Sequence, residues 1–206
     1  ALIKGVIREH DRIIFNGNGY DDAWVKEAQK RGLLNLRTTP DALPYFIKPE
    51  NIELFARHKV LNEEEMYSRY EIMMEEYTKI LSIEAKTMVN MAHKEILPAA
   101  SSYARTLAET CAMTMQVAGT ENAYERETVK EISKLVDQAY RAMNYLKDVV
   151  DRADASEDFE ARAFAYRDEV IGAMQALREP CDKLETMTDE KAWPFPTYGK
   201  LLFGIS

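Results

Sequence analysis

What most constrains this chain is where its glycines and prolines are missing. Of its eight glycines, four fall in the first 32 residues and two in the last eight, which leaves Gly119 and Gly172 for the long middle. Between residues 50 and 193 the prolines are Pro98 and Pro180. A β-rich fold needs turn residues roughly every eight to twelve positions, and this middle does not have them. All-β folds and glycine-cradled nucleotide domains are excluded there. The remaining architecture is helical.

The apolar pattern says what kind. In the second half, Val129, Ile132, Val136, Ala139, Met143, Leu146, Val150 and Ala153 alternate spacings of three and four. A heptad this long makes a left-handed seam against partner helices. A second seam runs through Phe159, Ala163, Tyr166, Val170, Ala173, Leu177, Cys181, Leu184 and Met187. Thr120 and Ser156 are read as the caps of these two helices. Each is expected to run about 32–35 residues, on the order of 50 Å. A compact globule of 206 residues has a radius of gyration near 17 Å, so the bundle is expected to be elongated and to project from a body. Ahead of them, Asn62 with Glu65 has the spacing of a capping box, and a helical pattern runs from there to Ala118. Pro98 predicts a kink or break near His93–Leu97, and Gly119 the end of that helix. The expected fold is mainly α: an elongated antiparallel bundle of three long helices, the first kinked at Pro98, preceded by short helices and loops.

The first 60 residues read differently. Arg12–Phe15 is a short apolar run, and Asn16-Gly17-Asn18-Gly19-Tyr20 a turn whose glycines can take positive φ. Asp21 and Asp22 open a helix through Ala23, Trp24, Val25 and Ala28, which Gly32 stops. Thr38-Thr39-Pro40-Asp41 and Pro44 read as a loop and tight turn, and Pro49 starts a short helix carrying Ile52, Leu54 and Phe55. The aromatics and leucines here outnumber the local partners able to cover them, so this region reads as an edge of something larger. Ala1 and the apolar-periodic Leu2, Ile3, Val6 and Ile7 suggest a segment cut from a longer polypeptide, with no signal-peptide pattern. The tail from Trp193 to Tyr198 reads as non-helical, folded back and packed.

Charge narrows the partners. The net charge is −8; residues 1–60 carry ten Lys/Arg against eight Asp/Glu, and residues 61–206 seventeen against twenty-seven. A body at −10 repels phosphate backbones and anionic lipid, so neither nucleic acid nor membrane is expected as a partner. No apolar run approaches the roughly 18 residues of a span. Cys111 and Cys181 lack CxxC spacing and read as buried thiols of a reduced compartment, with the cytoplasm as the expected location.

Each candidate for chemistry has a plainer reading. A di-iron bundle site needs Glu-x-x-His pairs, but Ile7, Phe55 and Asn90 stand three residues before His10, His58 and His93. A zinc site needs clustered Cys and His. Gly17-Asn18-Gly19 resembles the start of a dinucleotide fingerprint, but Asp22 stands where the third glycine belongs, and two acids at a helix start repel phosphate. Met66, Met73, Met74, Met88, Met91, Met113 and Met115 line the long helix, as core filling before an adaptable binding surface. Glu63–Glu65, Glu75 and Glu76 read as a solvated face. No residue is assigned a catalytic, cofactor-binding or metal-binding role.

Three strings resemble a specific family. RIIFNGNGYDDAWVKEAQKRGLLNLRTTPDALPYF (12–46), SRYEIMMEEYTKILSIEAKTMVNMAHKEILPA (68–99) and WPFPTYGKLLF (193–203) resemble the C-terminal end of bacterial type III glutamine synthetases. The resemblance implies a parent that condenses glutamate with ammonia through a γ-glutamyl phosphate. It further implies ATP and a divalent metal, Mg or Mn, in a large double-ring homo-oligomer. The family's metal carboxylates, ATP-site motif and phosphate-handling arginines match no position here, so none is transferred. It implies that residues 1–48 are the trailing edge of the catalytic domain and residues 49–206 a helical C-terminal extension. Its expected partners are the upstream domain and neighbouring subunits, with a role in assembly or stability; the alternative is a regulatory or partner-docking module. The fragment alone is expected to be inactive.

Overall fold

The structure of the chain is a computed structural model describing residues 2–196 and 198–204, with Tyr198 described in its backbone only. Among these residues there are helices and no strands. No helix is long and apolar enough to cross a membrane.

Four short helices come first: α1 (Leu2–His10), α2 (Asp22–Lys30), α3 (Thr39–Phe46) and α4 (Pro49–Arg57), with a 3-10 turn at Asp11–Ile13. The segment 38–46, read above as a loop and tight turn, is helix α3. Thr38 caps it by accepting the Asp41 N–H, and Pro40 lies in the first turn, where no N–H is needed. The predicted turn at 16–20 is present, but the glycines with positive φ among the described residues are Gly32 and Gly119, not Gly17 or Gly19. A Cβ at Gly17 would meet the tip of the Phe15 ring, which itself packs on Trp24 at 4.5 Å, so the ring would have to shift.

The first long helix is α5 (Glu63–Met91), a π turn (Ala92–Ile96) and α6 (Leu97–Ala118). Its start is a reciprocal capping box, with the Asn62 carboxamide accepting from Glu65 N–H and the Glu65 carboxylate from Asn62 N–H, both at 2.8 Å. The predicted disturbance before Pro98 is the π turn. Widening the ladder accommodates a ring that would clash with the preceding turn, so the helix continues instead of breaking. Gly119 ends it in the left-handed region at φ 64.

The second long helix is α7 (Ala123–Asp154), whose N-cap position is Asn122 and not Thr120. Every predicted seam residue from Ile132 on is buried except Val136, which like Val129 is half-buried; Leu135 and Val149 add a second buried row. That wider stripe lets α7 pack on both α6 and α9. The third long helix is α8 (Phe159–Ala165), a π turn (Tyr166–Val170) and α9 (Ile171–Met187), of 7, 5 and 17 residues, shorter than expected. Asp158, not Ser156, caps it, accepting from Glu160 and Ala161 N–H at 2.8 and 3.1 Å. A carboxylate suits the positive end of a helix better than a hydroxyl. The second seam is buried from Ala163 to Leu184.

Cross-links give the topology. Lys86 pairs with Asp154 and Tyr70 with Glu160, so α7 returns antiparallel to the first helix and the third runs alongside it again. The N-terminal end of α5 is covered instead by α3, where Leu43, Phe46 and Ile47 pack on Tyr70, Met74 and Ala163. Trp193 folds back into the main core beside Phe195, as expected. Thr197 lies outside the described residues, and Tyr198 opens a short helix, α10 (Tyr198–Phe203), instead of continuing the loop.

Candidate functional surface

The N-terminal segment holds its shape with few internal contacts. Arg31 donates from Nε to Glu27 at 2.6 Å and from Nη1 to the Arg12 carbonyl at 2.8 Å, tying the end of α2 to the 3-10 turn. Phe15 against Trp24 and the buried Ala28 supply the apolar contact. Most of its other large apolar side chains are exposed to varying degrees. On α1, Leu2 and Ile3 are 80% and 74% exposed, with Val6 and Ile7 on the same face. Ile13, Ile14, Leu33 and Leu34 are exposed as well. An isolated exposed leucine is ordinary, but a run of this size is a candidate interaction surface. The apolar surplus read from the sequence is this surface.

Besides the exposed Arg152–Glu169 pair at 3.0 Å, three sets of polar groups stand out within the bundle. Tyr166, with no exposed surface, donates its hydroxyl to Asp154 at 2.6 Å, and Lys86 donates to the other oxygen at 2.8 Å. Burial raises the Asp154 carboxyl, yet these two hydrogen bonds outweigh it and hold it below its ordinary value. Burial, with the bond to Asp154, pushes the Tyr166 phenol up to about 12. Tyr70 donates to Glu160 at 2.7 Å, and burial raises its phenol strongly. Arg167 joins Asp41 of α3 to Asp168 of the third helix. All three sets tie one helix to another and leave no nucleophile beside a free base. Nothing in the sequence spacing announced the long-range contacts, because Arg167 lies 126 positions from Asp41 and Glu160 lies 90 from Tyr70.

The residues weighed for chemistry stay apart. His10, His58 and His93 are exposed on different elements. Cys181 is buried, and burial, helped by Asp182, raises its thiol to about 11. Cys111 is half-buried, not buried as read above. In the turn 17–19, Asn18 accepts from Tyr20 and Asp21 N–H, and the Asp21 carboxylate accepts the Ala23 N–H where a phosphate would have to sit. Met66 and Met74 are fully buried and Met73, Met88 and Met91 half-buried, whereas Met113 and Met115 are exposed near the Gly119 tip. Among the described residues no three His, Cys, Asp or Glu groups come together as metal ligands.

Residues 1–115 match the model of the glutamine synthetase C-terminal domain. Over nearly all of its length the chain is similar to a glutamine synthetase of Butyrivibrio fibrisolvens, at 36% identity over 205 residues, 99% of this chain and 29% of the relative. A glutamine synthetase of Bacteroides fragilis is 30% identical over 98% of this chain and 28% of its own length. A type-3 glutamine synthetase of Dictyostelium discoideum is 29% identical over the same shares. The chain thus spans under a third of the length of the curated relatives it matches.

Proposed function

The chain belongs to the glutamine synthetase C-terminal domain family, and from that premise we propose that it is the noncatalytic end of a type III glutamine synthetase, serving assembly or stability of the oligomer. The carrying observation is the exposed apolar face of residues 2–34, set beside a bundle that buries its own seams. Residues 1–48 are read as the trailing edge of the catalytic domain and residues 49–206 as its helical extension. The partners are then the upstream domain, seated on Leu2, Ile3, Ile13 and Leu34, and neighbouring subunits of a homo-oligomer.

The parent enzyme is read as a cytoplasmic glutamate–ammonia ligase that forms ADP and phosphate. ATP and Mg or Mn belong to its upstream part. In this chain the glycine turn at 17–19 is followed by an Ala23 amide already taken by the Asp21 carboxylate, and among the described residues no three His, Cys, Asp or Glu groups come together. A second reading, docking of a regulatory partner, rests on the exposed Met113, Met115, Val117 and Tyr124 around the Gly119 tip.

Assay of the isolated chain for glutamine formation with ATP and Mg or Mn tests the noncatalytic reading. No turnover is expected; measurable turnover would overturn it. For the second reading, Met115→Glu in the full-length enzyme would lose a captured partner with the oligomer unchanged.

A further inference from the structure

The contact between Asp41 and Arg167 joins α3 to the third long helix by charge, and each partner is held in place before the two meet. Arg167 donates from Nε and Nη2 to the two carboxylate oxygens of Asp168 at 2.6 and 2.9 Å. Its guanidinium lies 4.6 Å over the Phe164 ring. One edge and one face of the planar fork are thereby used, and Nη1 is left to donate to Asp41. Thr38 donates to Asp41 Oδ2 at 2.6 Å, which leaves Oδ1 to accept from Arg167. The two side chains are only 25% and 33% exposed, so water screens them less than an open surface pair.

On the bundle side α3 is otherwise held by apolar contacts of Leu43, Phe46 and Ile47, while Asn51 of α4 donates to its Tyr45 carbonyl at 2.6 Å. Apolar burial holds a helix down but is non-directional. A guanidinium–carboxylate bond fixes an angle. Eight residues, 31–38, separate α2 from α3, and α3 itself falls within residues 1–48, the stretch read under the proposed function as the trailing edge of the enzyme body.

We propose that Asp41–Arg167 is a latch that sets the direction in which the helical bundle leaves the enzyme body. The inference rests on the reading of residues 2–34 as part of that body. Two readouts in the full-length enzyme test it. Hydrogen exchange at Ala42, Leu43, Tyr45 and Phe46 reads the latch itself, whether or not residues 2–34 belong to the body. Distances between spin labels at Lys26 and Arg141, both exposed, read the direction. Arg167→Ala should speed exchange in α3 about tenfold, with α7 unchanged, and broaden the distance distribution. The charge swap Arg167→Asp with Asp41→Arg should recover part of both, and Arg167→Lys, which keeps the charge without the fork, should recover less than the parent. Unchanged α3 exchange in Arg167→Ala overturns the latch. Faster exchange with an unchanged distance distribution overturns its control of direction. Failure of the body reading shows separately, as residues 2–34 exchanging freely in the full-length parent.

Discussion

Replacing Tyr166 by Phe removes one hydroxyl from the centre of the bundle without opening a cavity. The ring is completely buried, and its hydroxyl donates to Asp154 at 2.6 Å. A hydrogen bond to a charged group contributes about 1.5–3 kcal/mol. The Asp154 side chain is 36% exposed and keeps Lys86, so water replaces part of what is lost, and about 1–2 kcal/mol is expected. Tyr166→Ala loses the ring as well, at about 3–5 kcal/mol for an aromatic cut to alanine. Urea unfolding followed by circular dichroism, with the slope unchanged, measures both. The effect of the Phe variant also depends on pH. The Asp154 carboxyl is lowered in the fold, so its contribution is present above the ordinary carboxylate value, about 3.9, and lost as pH falls through its folded value. The gap between parent and Tyr166→Phe should be full at pH 7 and narrow below about pH 4. A Phe variant as stable as the parent at pH 7, or as unstable as the Ala variant, would refute the reasoning.

The same structure predicts other responses. Cys181, its thiol raised by burial to about 11, should resist iodoacetamide while the half-buried Cys111 reacts; mass spectrometry showing Cys181 labelled first would contradict this. Helices α2 and α4 end in the same Schellman arrangement, with Gly32 at the left-handed position of one and Lys59, at φ 54, in the other. Lys59→Gly should therefore stabilise the chain by about 0.5–1 kcal/mol, whereas thermal unfolding at or below the parent temperature would count against it. On the alkaline side, Tyr103 is raised to about 12 by its bond to Tyr124 and by burial, and Tyr166 to about 12 by burial and its bond to Asp154. Their contribution is complete below about pH 10 and is lost as pH rises through the folded values. Stability should fall between those limits, and a flat profile to pH 12 would exclude it.

The long helices were legible because burial on one side of a helix writes a period into the chain. The seam from Ile132 to Ala153 and that from Ala163 to Leu184 are the buried rows. Pro98 marked the disturbed turn but not its form, since a π turn depends on whether neighbouring helices hold the ladder together. Caps were less legible: Thr120 and Ser156 are good capping residues, yet Asn122 takes the N-cap position of α7, and Asp158 supplies the hydrogen bonds that start α8. Helix α3 was hidden because two prolines in eight residues read as a turn, while its stability comes from Leu43 and Phe46 packed on α5. The apolar N-terminal face was visible as a surplus of large residues over the local partners able to cover them. The Asp41–Arg167 contact left no local sign, because 126 positions separate the partners.

On the proposed function, this region holds a larger enzyme together and does no chemistry itself. The most direct test is the mass, by light scattering, of the full-length enzyme lacking residues 38–206. The cut is placed before α3 because Leu43 and Phe46 would otherwise lose their cover on α5 and cause aggregation unrelated to assembly. A smaller assembly than the parent is expected. An oligomer of undiminished subunit number would contradict it.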